Sequence, residues 1–273
     1  MRRVIAILFI LISFAVSARE QDSLALNKKR FTPEKSQYPA LGLWRNGYFT
    51  TGFATNKPVS QYTSDAKFQV SLAIRLWNIK GEWDIFATYS QRSIWDIYQK
   101  SCPFRETLYN PGVWAVWQTN EKVRLLFGFE HESNGIGLES GNSRSFNYLT
   151  VACLYEPFDH WRFGGRAWYG YFYHDEEINQ KYFRYRGVMQ LWGTFHTRDE
   201  RLQVTALVNP TVTFAKYNVQ LEASWKLAKR GDWLPSLFVQ YCYGYVETMI
   251  DYYRRSSKIR IGIALVNTRM NLY

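Results

Sequence analysis

The sequence lacks any apolar run long enough to cross a membrane as a helix, and it has few cysteines. A spanning helix requires about 20 consecutive apolar residues, and the longest apolar run, residues 4–16, is well short of that. The three cysteines, Cys102, Cys153 and Cys242, are odd in number and widely separated. These absences exclude a helical membrane bundle and do not favour a disulfide framework.

The apolar run at the N-terminus instead predicts a secretory signal. Arg2 and Arg3 precede it, and small residues at 17–18 follow it. We expect cleavage after residue 18, a loosely ordered lead-in over 19–43, and a folded domain over 44–273. Acidic residues are also scarce. Removal of the signal with its two arginines leaves 32 of the 34 basic residues and 23 acidic ones, a net charge of +9. For an exported protein this charge favours anionic lipid headgroups as partners over nucleic acid.

Aromatic residues and alternating hydrophobicity are abundant. The 11 Trp, 20 Tyr and 18 Phe exclude a disordered chain. In residues 68–76 and 259–265, large apolar side chains alternate with small or polar ones, which is typical of a β-strand. The same reasoning predicts twelve strands, at 44–54, 66–77, 82–91, 111–118, 122–133, 145–156, 162–173, 182–196, 200–209, 213–227, 235–247 and 257–273.

An even number of strands of about 10 residues fits a closed barrel, which leaves no unpaired strand edge in lipid. The prediction is an all-β, twelve-stranded antiparallel transmembrane β-barrel with its apolar faces outward. A soluble β-sandwich is the alternative that alternation alone leaves open. We expect a polar interior that includes Gln69, Ser71, Arg75, Arg260 and Gly262. Aromatic residues near strand ends predict interfacial girdles; these are Trp44, Tyr48, Trp77, Trp83, Trp161, Tyr252 and Tyr253.

The segment 123–133 combines a lipid-facing stripe with reactive side chains. Strict alternation puts Val123, Leu125, Phe127 and Phe129 on the outer face, followed there by His131 and Ser133. The next strand places Asn147 on the same face, beside His131. A serine nucleophile needs a base, and the base needs a third group to fix its tautomer. The three residues therefore predict a hydrolase site; the alternative is three ordinary polar residues at the barrel rim.

Several motifs resemble those of the outer-membrane phospholipase A family. They are His131-Glu-Ser-Asn-Gly135, Ser143-Arg-Ser-Phe-Asn147, Tyr89-Ser-Gln91, Ser101-Cys-Pro-Phe-Arg-Glu-Thr-Leu-Tyr109 and Glu247-Thr-Met-Ile-Asp-Tyr252. The resemblance runs from about residue 44 to the end. It implies a twelve-stranded outer-membrane barrel that hydrolyses the sn-1 and sn-2 acyl esters of phospholipids, active as a calcium-bound homodimer.

The resemblance also implies a role for each matching residue. Ser133 is the nucleophile, His131 its base, and Asn147 the residue that orients the imidazole. Ca²⁺ is held by the Ile136 carbonyl, the Ser143 hydroxyl and Ser101 of the partner subunit, with a further acidic ligand at Asp175 or Glu176. Gln91 lies in the dimer interface.

Two features depart from the family pattern: Ile136 replaces an arginine, and the segment 137–142 is two residues longer. A barrel that kept the fold but lost the chemistry, as a pore or structural protein, is the alternative function. The presence of Ser133, His131 and Asn147 together favours the enzyme.

Overall fold

The alternating segments form the strands of a single antiparallel sheet. The computed structural model describes residues 36, 38–171, 176–211, 215–227 and 235–266. The predicted signal, most of the lead-in and the C-terminal residues 267–273 lie outside the described part. The strands are β1 Leu41–Gly42, β2 Gly47–Ala54, β3 Ser64–Ile79, β4 Trp83–Trp95, β5 Phe104–Gln118, β6 Val123–Ser133, β7 Ser145–Phe158, β8 Trp161–Tyr171, β9 Met189–His196, β10 Leu202–Pro210, β11 Tyr217–Lys226, β12 Pro235–Gly244 and β13 Ser256–Leu265.

Strands β2 to β13 close into a ring, since each pairs with its sequence neighbours and β13 pairs with β2. The short strand β1 pairs with β3 at two positions, so it is not counted as a further strand of the barrel. All of these pairings are antiparallel. The predicted twelve-stranded barrel is confirmed.

The two ends of the barrel differ in the length of their connections. One end carries short turns such as 80–82 and 159–160, and the other carries longer segments such as 96–103, 134–144 and 245–255. Short turns and long loops mark the periplasmic and outer ends of such barrels, respectively. We call these the turn end and the loop end. No helix in the described ranges is long and apolar enough to cross a membrane.

The loop end also contains a helix that was predicted as strand. Residues 182–186 belong to helix α1, Glu176–Arg186, and β9 begins only at Met189. Tyr182 and Phe183 are adjacent in sequence, yet both are buried in one cluster with Phe146 of β7. Neighbouring residues in a strand point to opposite faces, whereas neighbours on a helix can share one. The prediction of strand over 182–186 is therefore wrong.

The interior is polar only in part. Ser71 and Arg260 are buried and hydrogen-bonded inside, as expected. Towards the turn end, however, the interior is filled by an apolar cluster; it includes Trp44, Phe86, Trp114, Val116, Leu126, Ala152, Leu154 and Trp192. Glycine makes this packing possible, because a Cβ on Gly128 would lie 2.4 Å from the Trp114 ring.

The outer wall carries the expected apolar stripes. In β13, the residues Ile259, Ile261 and Ile263 are all exposed while Arg260 between them is buried. On β6, Phe129 is exposed, whereas Val123 and Leu125 are covered by outer-face neighbours that include Trp117 and Phe127.

The aromatic girdle is correct for some residues and wrong for others. Trp77, Trp161 and Tyr253 are exposed, and Trp83 stacks on Trp117 with ring centroids 5.2 Å apart. Trp44, Tyr48 and Tyr252 are buried instead. Trp44 packs on Phe86 and Trp114, Tyr48 stacks on Phe238, and Tyr252 contacts Tyr182. A position near a strand end does not determine which face of the wall the side chain occupies.

Candidate active site

The predicted catalytic residues lie on the outer wall at the loop end of β6 and β7. His131 is directly opposite Asn147 in the antiparallel register, and Ser133 is opposite Ser145. Directly opposed residues share one face of a sheet. The face is the outer one, because Phe129 and Leu149, the pair next to His131 and Asn147 on it, are 52% and 62% exposed. His131, Ser133 and Asn147 are themselves half-buried.

The contact between His131 and Asn147 determines the imidazole tautomer. His131 Nδ1 lies 2.9 Å from Asn147 Oδ1. An amide oxygen only accepts hydrogen bonds, so Nδ1 carries the proton and donates it to Asn147. The other ring nitrogen, Nε2, keeps its lone pair and is available as a base.

Ser133 is in the same outward row of side chains. Its neighbours across the sheet are Tyr109 on β5 and Ser145 on β7. The Ser133 hydroxyl makes no hydrogen bond to any residue that the structure describes. A nucleophile and its base often reach hydrogen-bond distance only once substrate is bound, so the absence of this hydrogen bond is compatible with a catalytic pair.

The hairpin 134–144 that joins β6 to β7 is organised by Asn134. The Asn134 side chain accepts hydrogen bonds at Oδ1 from the Arg144 backbone at 3.0 Å and the Ile136 backbone at 3.4 Å. Its Nδ2 donates to the Asn142 carbonyl at 2.8 Å and to Glu106 at 3.2 Å. A buried amide that uses both its ends in this way fixes the path of the hairpin.

Glu106 ties this hairpin to the rest of the loop end. Its carboxylate accepts hydrogen bonds from Asn134 and from the backbone N–H groups of Met249 and Ile250, at 2.6 and 3.0 Å. These two backbone groups belong to the segment between β12 and β13, on the far side of the barrel. Glu106 and Asn134 both fall within the family-like motifs, but no role was predicted for either. The available signal was the alternation of β5, which turns the Glu106 carboxylate inward, and an amide directly after the end of β6.

The predicted calcium ligands divide between two loops. Ile136 and Ser143 lie in the hairpin 134–144, next to Ser133 in the chain. A 3-10 turn at Leu138–Ser140 occupies the exposed part of this hairpin, where the two additional residues were expected. Ser101 is exposed at the tip of the segment 96–103, in a left-handed backbone conformation with φ of 70°. Asp175 and the Glu176 side chain lie outside the described part of the chain.

The ligand chemistry fits calcium. A main-chain carbonyl and serine hydroxyls are hard oxygen donors, and Ca²⁺ accepts these in flexible geometry. Gly135 has a positive φ of 65° and sits against the Tyr109 ring, so the hairpin turns sharply away from β6 immediately before Ile136.

Strands β6 and β7 rest on a packed interior. Between His131 and Ser133, the Glu132 side chain points inward and pairs with Arg186 of α1 at 3.0 Å. On β7, Phe146 and Tyr148 flank Asn147 and are buried beneath α1. Phe146 stacks on Tyr182 with ring centroids 4.7 Å apart. The helix therefore supports both strands from the inside.

A sequence model of one family, described as Phospholipase A1, matches residues 17–265. The chain belongs to this family. It is 29% identical to Phospholipase A1 of Escherichia coli (strain K12) over 211 residues, which are 74% of this chain and 69% of the relative. It is 28% identical to Phospholipase A1 of Salmonella typhimurium over 235 residues, 80% of this chain and 78% of the relative.

Solved structures of the same kind share the fold. Outer membrane phospholipase A from Escherichia coli superposes with a TM-score of 0.73 at 24% identity, covering 85% of this chain and all of that one. A Salmonella typhi outer membrane phospholipase dimer with bound calcium superposes with a TM-score of 0.72 at 22% identity, covering 85% and 95%. The protein is therefore a phospholipase with the barrel fold of these outer membrane enzymes, as predicted.

Membership of the phospholipase A1 family gives the position of the site a physical meaning. A soluble hydrolase binds its substrate in an internal cleft, whereas the substrate here is a component of the surrounding bilayer. Side chains on the lipid-facing wall, such as His131 and Ser133, can meet this substrate without extracting it into water. A neutral Asn147 is suited to this position, because a carboxylate there would carry a large desolvation cost.

Proposed function

We propose that the protein hydrolyses the sn-1 and sn-2 acyl ester bonds of phospholipids by a Ser-His-Asn mechanism, as a calcium-dependent homodimer. The observation that carries the proposal is the hydrogen bond from His131 Nδ1 to Asn147 Oδ1 on the outer wall. It presents a basic Nε2 on the same face as the Ser133 hydroxyl.

In the first half of the reaction, Ser133 Oγ attacks the ester carbonyl carbon, and His131 Nε2 accepts the hydroxyl proton. The imidazolium that forms is stabilised by Asn147, which holds the ring in place. Collapse of the tetrahedral intermediate breaks the bond to the glycerol oxygen, which takes the proton from His131 and leaves as lysophospholipid. The acyl group remains on Ser133.

In the second half, water attacks the acyl-Ser133 ester. His131 Nε2 takes a proton from this water and returns it to Ser133 Oγ as the ester breaks. The products are a fatty acid and the regenerated serine.

The proposed calcium ligands are the Ile136 carbonyl, the Ser143 hydroxyl and Ser101 of a second copy, with Glu176 as a further candidate. When bound, the ion supplies electrostatic stabilisation for the oxyanion formed at the ester carbonyl. Ile136 and Ser143 contribute uncharged oxygens, so we expect weak binding, towards roughly 10⁻⁴–10⁻³ M. The calcium named for the Salmonella typhi dimer supports this assignment.

The homodimer is supported by Gln91 and Ser101. Gln91 lies on the outer wall of β4, where Tyr89 Oη donates a hydrogen bond of 2.8 Å to its Oε1. Its Nε2 has no hydrogen-bond partner among the described residues, which favours a partner group from a second barrel. Ser101 is exposed on a neighbouring loop and can reach across the same interface.

The test is calcium-dependent release of fatty acid from phospholipid in detergent micelles. Ser133→Ala should abolish release and leave a folded barrel. The matched control is Ser145→Ala, since Ser145 lies directly opposite Ser133 on the same face. Full activity of Ser133→Ala, or equal loss in both variants, would end the nucleophile assignment.

A second measurement tests the requirement for calcium and a dimer together. Crosslinking in detergent should give a dimer with calcium and a monomer with chelator, and hydrolysis should follow the dimer. A monomer that hydrolyses phospholipid at full rate in chelator contradicts the mechanism.

A further inference from the structure

The barrel interior contains a charged cavity that the proposed mechanism does not use. It has a volume of about 150 Å³ and lies behind β6, near the loop end. This is well above the roughly 10–15 Å³ that one water needs, so the cavity has room for several waters or for one small tetrahedral oxyanion. Its walls include five basic side chains and three carboxylates; these are Arg45, Lys67, Arg92, Arg166, Arg186, Glu132, Glu222 and Glu247.

The three carboxylates already have partners. Glu132 pairs with Arg186 at 3.0 Å and accepts a hydrogen bond from Tyr148. Glu247 pairs with Lys67 and Arg260, each at 3.2 Å. The oxygens of Glu222 accept hydrogen bonds from three amide groups, those of Asn46, Gln220 and Gln240.

Two of the cations, Arg92 and Arg166, are not held by a carboxylate at such short distances. Arg92 is half-buried; among the described residues it makes no hydrogen bond, and Glu132 and Glu247 act on its charge only from beyond 4 Å. Arg166 is 6% exposed, and its Nε is buried without a hydrogen-bond partner. Its ion pair with Glu130 is long, at 3.9 Å, and Glu130 is held more closely by Arg45 at 2.8 Å.

A guanidinium buried without a matching anion is costly. Native proteins relieve such a cost with ordered water or a bound ion. Arginine is also the residue best shaped to hold a tetrahedral oxyanion, because its planar fork donates two parallel hydrogen bonds. Arg92 of β4 and Arg166 of β8 both line this cavity.

We propose that this cavity is an internal binding site for one small oxyanion of the phosphate class, held by Arg92 and Arg166. The same chemistry is offered by free inorganic phosphate and by the phosphate of a lipid headgroup. The anion would neutralise the interior directly behind the strand that carries His131 and Ser133. The site is independent of the proposed catalytic mechanism.

The test is equilibrium dialysis of the full-length, refolded protein in a non-ionic detergent, with radiolabelled inorganic phosphate and a constant level of chelator. We expect saturable binding of one phosphate per chain. Arg92→Gln and Arg166→Gln should each weaken it at least tenfold. Arg75→Gln is the control, since Arg75 also points inward but donates to the Tyr38 carbonyl and pairs with Asp84.

Folding is checked in each variant by its heat-modifiable mobility in a denaturing gel. If Arg166→Gln does not fold, Arg166→Lys replaces it, because lysine keeps the charge but lacks the fork. Competition by glycerol 3-phosphate distinguishes the two sources: equal competition assigns the site to headgroup phosphate, and none assigns it to free phosphate. Absence of saturable binding, or equal affinity in all the variants, overturns the proposal.

Discussion

Gln91 and Ser133 lie in one cross-strand row of the outer wall, separated only by Tyr109. Gln91 pairs with Tyr109 across β4 and β5, and Tyr109 pairs with Ser133 across β5 and β6. At the usual strand spacing this puts the two residues about 10 Å apart. A second barrel that docks on Gln91 would therefore also reach the neighbourhood of Ser133.

Gln91→Ala should weaken dimerisation in calcium by about 0.6–2 kcal/mol, the range for a polar contact between membrane-spanning segments. The substitution removes the Gln91 amide, whose Nε2 has no hydrogen-bond partner among the described residues of its own chain. Sedimentation in detergent measures the effect, and Gln61→Ala, which alters an exposed loop glutamine, is the control. Unchanged dimerisation in Gln91→Ala would place the interface elsewhere.

His131→Ala and Asn147→Ala should differ in severity. Loss of the base should reduce kcat by about 10⁴-fold or more, as loss of Ser133 does, because the two act as a unit. Loss of Asn147 removes one orienting hydrogen bond and should cost about tenfold. Steady-state hydrolysis at saturating calcium measures both, and equal losses would show that Asn147 does more than orient the ring.

Asn134→Ala should raise the calcium concentration needed for half-maximal activity. Asn134 holds the hairpin on which Ile136 and Ser143 lie, so its removal should disorder the ligands without touching Ser133 or His131. We expect a shift of about tenfold, equivalent to one or two lost hydrogen bonds. Glu139→Gln, an exposed change in the same hairpin, is the control. A fall in maximal rate with an unchanged calcium midpoint contradicts this role.

Ile261→Arg should destabilise the barrel by about 2–4 kcal/mol, because Ile261 is 60% exposed near the middle of a lipid-facing strand. Tyr253→Arg, beyond the strand end, should cost less than about 1 kcal/mol. Denaturant unfolding in lipid vesicles measures both. Similar costs would mean that the two positions lie at the same depth in the bilayer.

Alternation predicted the features that depend on which face a strand residue occupies. Alternation correctly predicted which residues of β6 face outward and that Asn147 lies beside His131. Both features depend only on the two-residue period of a strand and on the hairpin that joins β6 to β7. Alternation was wrong for residues 182–186, where Tyr182 and Phe183 share a face in a helix. The separate criterion of position near a strand end misplaced Trp44, Tyr48 and Tyr252, since an aromatic residue there suits either a girdle or a packed interior.

The hydrogen bonds of Asn134 and Glu106 were beyond prediction from the sequence. Glu106 contacts backbone groups 143 and 144 residues away, and such contacts depend on closure of the whole ring. The same holds for the cavity lined by Arg92 and Arg166, whose charges come from separate strands.

The outer wall of a barrel is convex, and this curvature limits what the proposed catalytic residues can do unaided. A concave cleft surrounds its substrate and excludes water by its own shape, whereas Ser133, His131 and Asn147 stand on a surface that curves away on both sides. Nothing on such a surface can enclose a reacting ester. In the proposed mechanism a second surface completes the enclosure, so activity is controlled by what docks on the outer wall.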